Sequence, residues 1–159
     1  MRVCSQALSC QAVDNYYAIK TDCGVEVRIY FISPDIVRMR AGFDGDFKES
    51  SYSLVTTAWK SVTDELLKDY RKVVAVAPSK LEDQSDCFVI SSESLVVKIA
   101  KDPYQISILS RSGEVLHRDC VDLALQEDSN KRRVHVSEIE PTDGFYGFGE
   151  KSGEFNKLE

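Results

Sequence analysis

The alternation of apolar and polar residues along the chain predicts β-strands. The clearest case is the segment from Val25 to Ile32, in which one face would carry Val25, Val27, Ile29 and Phe31 and the other Glu26, Arg28 and Tyr30. A period of two is typical of a half-buried antiparallel strand. Turn chemistry follows at Ser33-Pro34-Asp35. The segment from Ile36 to Ala41 is predicted to return as the partner strand.

Further strands are predicted at a spacing of about ten residues, which is typical of β-sandwiches. A short opening strand is expected at residues 16–20, after fifteen residues without a strong period. Later strands are expected at residues 87–90, 95–100, 105–109, 115–117, 121–126 and 133–138. We expect some ten strands and no internal repeat.

The middle of the chain has a weaker pattern. It predicts a strand at 51–57, a helix at 63–72, a strand at 73–77 and an exposed loop at 79–86. Trp59, the single tryptophan, is interpreted as a core anchor. The expected fold class is therefore all-β, a β-sandwich of mainly antiparallel strands with at most one short helix.

Composition limits the function classes. With 159 residues and 43% hydrophobic content, the chain can bury one core but not a sandwich plus a catalytic barrel of about 250 residues. A net charge of −6 without a basic cluster argues against nucleic acid or a membrane as partner. Because there is no apolar span and no secretory-type start, we expect a cytoplasmic protein.

The residues that could bind a metal or form disulfides do not match known spacings. Five scattered cysteines favour reduced thiols over a disulfide framework and lack the spacing of a zinc site. Asp44 and Asp46 are spaced like the start of a calcium loop, but the later ligands are missing. No metal site and no organic cofactor are predicted.

The most distinctive stretch lies near the end of the chain. Three glycines, at positions 144, 147 and 149, alternate there with Phe145, Tyr146 and Phe148. Such a run is more often a bulged strand than a binding site. It is not a dinucleotide fingerprint, because no helical pattern follows it.

This stretch carries a specific resemblance. Phe145-Tyr-Gly-Phe-Gly-Glu-Lys151, followed by Ser152-Gly-Glu-Phe-Asn156, resembles the signature that closes the N-terminal β-sandwich of glycoside hydrolase family 31. That family consists mainly of α-glucosidases and α-xylosidases, and its catalytic pair lies on a barrel that follows the sandwich. The resemblance also implies a galactose-mutarotase-like fold.

On this resemblance, residues 1–157 are expected to be the non-catalytic N-terminal domain of a larger glycosidase whose barrel is absent here. Residues 158–159 are interpreted as expression-vector residues. No catalytic residue is assigned to this chain. The residues that match the signature, and that we expect near the substrate or the barrel interface, are Tyr146, Phe148, Glu150 and Lys151.

Two other groups of residues carry side chains that could support catalysis. Retaining glycosidases need two carboxyl groups about 5 Å apart, and the adjacent pairs Asp64-Glu65 and Glu82-Asp83 do not predict that geometry, because strand neighbours point to opposite faces. His117 and His135 could serve an aldose epimerase. A structural or exposed role is favoured for both histidines, because fold similarity does not carry chemistry.

The expected partners are the catalytic barrel of the same polypeptide and an α-linked oligosaccharide, and homo-oligomerisation stays open. Two alternatives remain at this point. One is a freestanding carbohydrate-binding sandwich, and the other is an oligomerisation domain.

Overall fold

The computed structural model describes residues 1–45, 47, 77–141, 143 and 144, and it is all-β over that range. The strands in chain order are β1 (Arg2–Val3), β2 (Ala7–Val13), β3 (Tyr16–Thr21), β4 (Glu26–Ser33), β5 (Ile36–Gly42), β6 (Lys80–Asp83), β7 (Cys87–Ser91), β8 (Leu95–Ala100), β9 (Gln105–Ser110), β10 (Val115–Arg118), β11 (Leu125–Glu127) and β12 (Arg133–His135). A single 3-10 turn, Phe43–Gly45, follows β5. The predicted fold class is confirmed.

The strands form three antiparallel sheets. One is a four-stranded meander, β2-β3-β4-β5, and another is a five-stranded meander in the order β10-β9-β8-β7-β6. The third sheet, β1-β11-β12, joins the start of the chain to its later part, with Arg2 opposite Glu127.

The core forms where apolar residues of the two meanders point inwards. In β4 the predicted alternation holds, since Ile29 is fully buried and Val27 and Phe31 are each 2% exposed. In β8, Val97 and Ile99 are fully buried and belong to the same core cluster. The side chains of the two sheets therefore bury each other, as in a sandwich.

Local chemistry sets the turns that fix the strand register. Gly24 has φ +78° in the turn between β3 and β4, a conformation that costs glycine little. At the next turn the hydroxyl of Ser33 donates to Asp35 over 2.6 Å. In the ladder that follows, Ile29 pairs with Met39.

Two strand predictions were wrong. Residues 1–15 contain β1 and β2, so the strand predicted at 16–20 is β3 rather than the opening strand. The loop predicted at 79–86 contains β6, which among the described strands pairs with β7 alone, at the end of its sheet. An edge strand needs few buried side chains, and in β6 only Leu81 is partly buried, so its sequence resembles a loop.

The last predicted strands are shorter than expected. Residues 121–124 form a turn, and β11 begins only at Leu125. β12 ends at His135, although the prediction extended to residue 138. The predictions for residues 51–57, 59, 63–72 and 73–76 lie outside the described residues.

All five cysteines are free thiols. The Sγ atoms of Cys4 and Cys23 lie 2.6 Å apart. Burial, followed by the hydrogen bond to Cys23, raises the pKa of the Cys4 thiol to about 12. Within the part of the chain that the structure describes, no helix has the length and hydropathy needed to cross a bilayer.

Candidate functional site

The residues predicted to lie near a substrate, Tyr146, Phe148, Glu150 and Lys151, lie outside the described residues. Of the two aspartates spaced like the start of a calcium loop, Asp46 also lies outside the described residues. Asp44 has φ +58° and accepts a hydrogen bond from Arg2 over 2.9 Å. Its carboxylate is therefore engaged in an ion pair at the surface.

The two histidines lie close together because the chain segments just beyond β10 and β12 pair with each other. A register shift between Val115 and His117 interrupts the ladder of β10 with β9. Asp119, just beyond β10, forms an isolated β-bridge with Ser137, just beyond β12. Side chains two residues apart in an extended chain share a face, so His117 and Asp119 point the same way. The side chain of His135, from β12, contacts Asp119 on that face.

The three side chains converge on one carboxylate oxygen. The Nε2 atom of His117 lies 3.0 Å from Oδ1 of Asp119, and the Nε2 atom of His135 lies 2.7 Å from the same oxygen. The imidazole centroids are 5.8 Å apart. We call these three residues the His-Asp-His cluster.

Asp119 is the fixed member of the His-Asp-His cluster. It is 1% exposed, and its Oδ2 atom accepts the backbone N–H of Ile106 over 3.1 Å. Its own N–H donates to the carbonyl of Ile106, and its carbonyl accepts from the side chain of Gln105. Both carboxylate oxygens are thus satisfied, as a buried charge requires.

A cavity of about 230 Å³ borders this cluster. Its apolar wall includes Val27, Met39, Ala41, Ile106 and Leu125, and its polar lining consists of Arg40, Tyr104, Asp119 and His135. Tyr104 is 1% exposed, and its hydroxyl has no hydrogen-bond partner among the described residues. A buried hydroxyl without a partner costs about 1–3 kcal/mol, so Tyr104 carries an unused polar group next to this cluster.

Charge and burial set the protonation of these groups. The hydrogen bond to Asp119 raises the pKa of His135 above its ordinary value, against the lowering effect of burial. Burial, together with the charge of Asp119, raises the pKa of the Tyr104 hydroxyl well above its ordinary value. Tyr104 therefore stays protonated and can donate a hydrogen bond.

The arrangement can hold a proton or a cation between two imidazoles and a carboxylate. Within the described residues it is the one group of three or more His, Cys, Asp or Glu side chains whose ligand atoms lie close together, all within 4.8 Å. Both oxygens of Asp119 are already bonded, Oδ1 to the two imidazoles and Oδ2 to the backbone N–H of Ile106, so this carboxylate is not a free general base.

Sequence reasoning missed this cluster because its third member comes from a distant strand. The spacing His117-x-Asp119 is a local signal for two polar side chains on one face. Nothing local indicates that His135 joins them, since that depends on the pairing beyond β10 and β12.

Comparison with solved structures gives the fold. The chain is 18% identical to a dextranase of glycoside hydrolase family 31 from Flavobacterium johnsoniae, complexed with glucose, with a TM-score of 0.78 over 98% of this chain and 18% of that chain. It is 16% identical to a cycloalternan-forming enzyme from Listeria monocytogenes in complex with a pentasaccharide substrate, with a TM-score of 0.69 over 97% of this chain and 13% of that chain. The chain therefore spans less than a fifth of the length of these enzymes.

Among curated proteins, no sequence matches the chain. The family model described as the glycosyl hydrolase 31 N-terminal galactose mutarotase-like domain matches residues 26–159. This match includes β4 to β12 and the glycine-aromatic signature. The chain belongs to the family of N-terminal galactose-mutarotase-like domains of glycosyl hydrolase family 31.

Proposed function

We propose that this chain is the non-catalytic N-terminal domain of an α-glycosidase, where it packs on the catalytic barrel and helps to shape the substrate pocket. The observation that carries the proposal is the match of the family model to residues 26–159, which runs through the signature at 145–156. The parent reaction would be retaining hydrolysis of an α-glycosidic bond. The domain itself would contribute packing and position.

The solved relatives support an α-glucan substrate for the parent protein. One is a dextranase that was also solved with isomaltotriose, and another acts on a pentasaccharide. In both, the region similar to this chain is under a fifth of the enzyme. More than four fifths of each enzyme thus lies outside the matched region, which is enough polypeptide for a catalytic barrel.

The buried carboxylates of the described region support a non-catalytic role. Asp119 is held by the two histidines, and Glu127, 3% exposed, lies 3.2 Å from Lys131 and 3.4 Å from Arg133. A retaining pair needs one free nucleophile and one acid facing a common space about 5 Å across. Both carboxylates are instead already engaged, Asp119 in hydrogen bonds with the two imidazoles and Glu127 in ion pairs with Lys131 and Arg133.

The first test is to sequence the source gene beyond the codon of Lys157. We expect the reading frame to continue into a barrel with aspartates at strand ends. The 159-residue chain alone should then leave an aryl α-glucoside unhydrolysed, and the longer polypeptide should hydrolyse it. A stop codon within a few residues, or hydrolysis by the purified short chain but not by a mock purification, would overturn the proposal.

The signature residues can be tested within the longer polypeptide. Lys151→Ala should lower kcat/KM roughly ten- to a hundredfold, because small displacements at a pocket are costly. The matched control is Lys98→Ala, since Lys98 lies exposed in β8, and this variant should keep full activity. Equal activity of both variants would remove Lys151 from the pocket or the barrel interface.

A further inference from the structure

We propose that the His-Asp-His cluster binds one divalent transition-metal ion of the zinc class. The ligands would be Nε2 of His117, Oδ1 of Asp119 and Nε2 of His135, whose atoms all lie within 4.8 Å of one another. The proposal is independent of the proposed function, because it concerns a site that no step of glycoside hydrolysis uses.

The ligand spacing suits a small cation. Around tetrahedral zinc, with bonds of about 2.0–2.2 Å, neighbouring ligand atoms are about 3.4 Å apart. The two nitrogen-to-oxygen distances here are 3.0 and 2.7 Å. To surround one ion, the two nitrogen-to-oxygen distances would have to lengthen by under 1 Å, and the two imidazole nitrogens, which lie no more than 4.8 Å apart, would have to settle about 3.4 Å from each other. Rotation of the partly exposed imidazoles can make shifts of this size.

The donor set selects the class of ion. Imidazole nitrogen is a ligand for zinc, copper, iron and nickel, whereas magnesium and calcium prefer sites built from oxygen. Two imidazoles and one carboxylate therefore favour a borderline ion over a hard one. Three protein ligands leave one tetrahedral position for water or another oxygen donor.

The carboxylate already has the support that a metal ligand needs. The backbone N–H of Ile106 holds Oδ2 of Asp119 and leaves Oδ1 facing the imidazoles. Outer hydrogen bonds of this kind orient metal ligands and raise affinity. The buried ligand therefore does not have to be ordered when the ion binds.

Access comes from two sides. The side chains of His117 and His135 are 26% and 39% exposed. Asp119 and His135 also line the cavity of about 230 Å³, together with Tyr104, whose hydroxyl has no partner among the described residues. An unsatisfied buried hydroxyl calls for a polar partner, and a water or other oxygen donor that completes the coordination of the ion would supply one if it lay within reach of Tyr104.

The 159-residue chain offers a direct test, because it contains only two histidines. In an untagged, chelator-treated protein, nitrogen-15 NMR of the imidazole rings reports on this cluster alone. We expect one equivalent of Zn²⁺ to change the ring signals of both histidines together, with calorimetry giving one site in the micromolar range or tighter. Magnesium and calcium should leave both rings unchanged.

Variants then assign the ligands. His117→Gln and His135→Gln keep a group that can donate to Asp119, and each should weaken zinc binding at least about tenfold, the loss seen even for outer partners of a metal site. Glu138→Gln is the matched control, because this carboxylate pairs with Arg118 outside the cluster, and it should bind zinc unchanged.

Three results would overturn the proposal: no zinc uptake, a change at only one imidazole, or binding that survives both glutamine variants. If a variant fails to fold, the NMR titration of the native chain decides alone. If the signals of both rings do not change together on addition of one equivalent of zinc, the proposed site does not exist.

Discussion

At the scale of single residues, Asp22 ties two segments that are distant in sequence. Its Oδ1 atom accepts the backbone N–H groups of Ser5 and Gln6 over 3.0 and 3.1 Å. Partial burial would raise the pKa of this carboxyl, but the N–H groups of Gln6 and Ser5 outweigh that effect and leave the pKa below its ordinary value. The turn before β4 thereby anchors the link between β1 and β2.

Asp22→Ala should destabilise the chain by about 1 kcal/mol at pH 7, the usual net value of hydrogen bonds at a solvent-exposed site. Since the folded pKa lies below the unfolded one, this stabilisation is complete above the unfolded value of about 3.9 and is lost as the pH falls through the folded value. Urea unfolding between pH 7 and pH 2.5 should show the two proteins converging at low pH.

Asp22→Asn is the control for this experiment. The amide oxygen can still accept both N–H groups but carries no charge and does not titrate. This variant should retain part of the stabilisation and lose its pH dependence. A constant gap between the wild type and Asp22→Ala at every pH would show that the charge of Asp22 is irrelevant.

At the scale of elements, burial follows the number of paired neighbours. β8 lies between β7 and β9, and Val97 and Ile99 on its inner face are fully buried. Within the part of the chain that the structure describes, β10 and β6 each pair with one strand of their sheet, and Leu116 in β10 is 53% exposed. Central strands therefore supply most of the core.

Ile99→Ala should cost about 3 kcal/mol in the free energy of unfolding, because a buried aliphatic side chain is replaced by a cavity. Leu116→Ala, at an exposed position of the same sheet, should stay within about 0.5 kcal/mol of the wild type. Urea denaturation with unchanged m-values is the measurement. Similar losses for both variants would contradict the burial pattern of this sheet.

The contrast between central and edge strands also explains which strands could be predicted from the sequence. In β4 and β8 the alternation of buried and exposed residues is local, so the strands could be recognised directly. β6 was missed because an edge strand with one partly buried residue carries no such alternation. β1 was missed because two residues are too short for any period, and its pairing partner lies in β11.

The candidate site was harder to predict because it, too, depends on pairing between segments that are distant in the sequence. The spacing of His117 and Asp119 places both side chains on one face. The position of His135 beside them depends on the bridge between Asp119 and Ser137. The roles of Tyr146, Phe148, Glu150 and Lys151 stay predictions, carried by the signature. Resemblance identified the family, whereas only the three-dimensional arrangement identified the cluster.

At the scale of the whole molecule, the first strand closes the fold. β1 pairs with β11, and the N–H of Cys4 donates to the carbonyl of Leu125 over 3.0 Å. Arg2 also lies 3.9 Å from the buried carboxylate of Glu127. The start of the chain thus completes a sheet formed by its later part.

Deleting residues 1–3 should lower the free energy of unfolding by about 2 kcal/mol, because the ladder to β11 is lost and the carboxylate of Glu127 loses one cation. Deleting Met1 alone is the control, since that residue is 87% exposed, and it should have no measurable effect. Thermal unfolding followed by circular dichroism compares the two. Equal melting temperatures would show that β1 adds nothing to stability.

The pairing of β1 with β11 also sets an order of events on the ribosome. The partner of Arg2 is Glu127, which is synthesised roughly 120 residues later. At 5–20 residues per second, the first strand therefore waits about 6–25 s for its partner. During that interval the meander from β2 to β5 can form, but β1 stays unpaired and accessible to chaperones until β11 has left the exit tunnel.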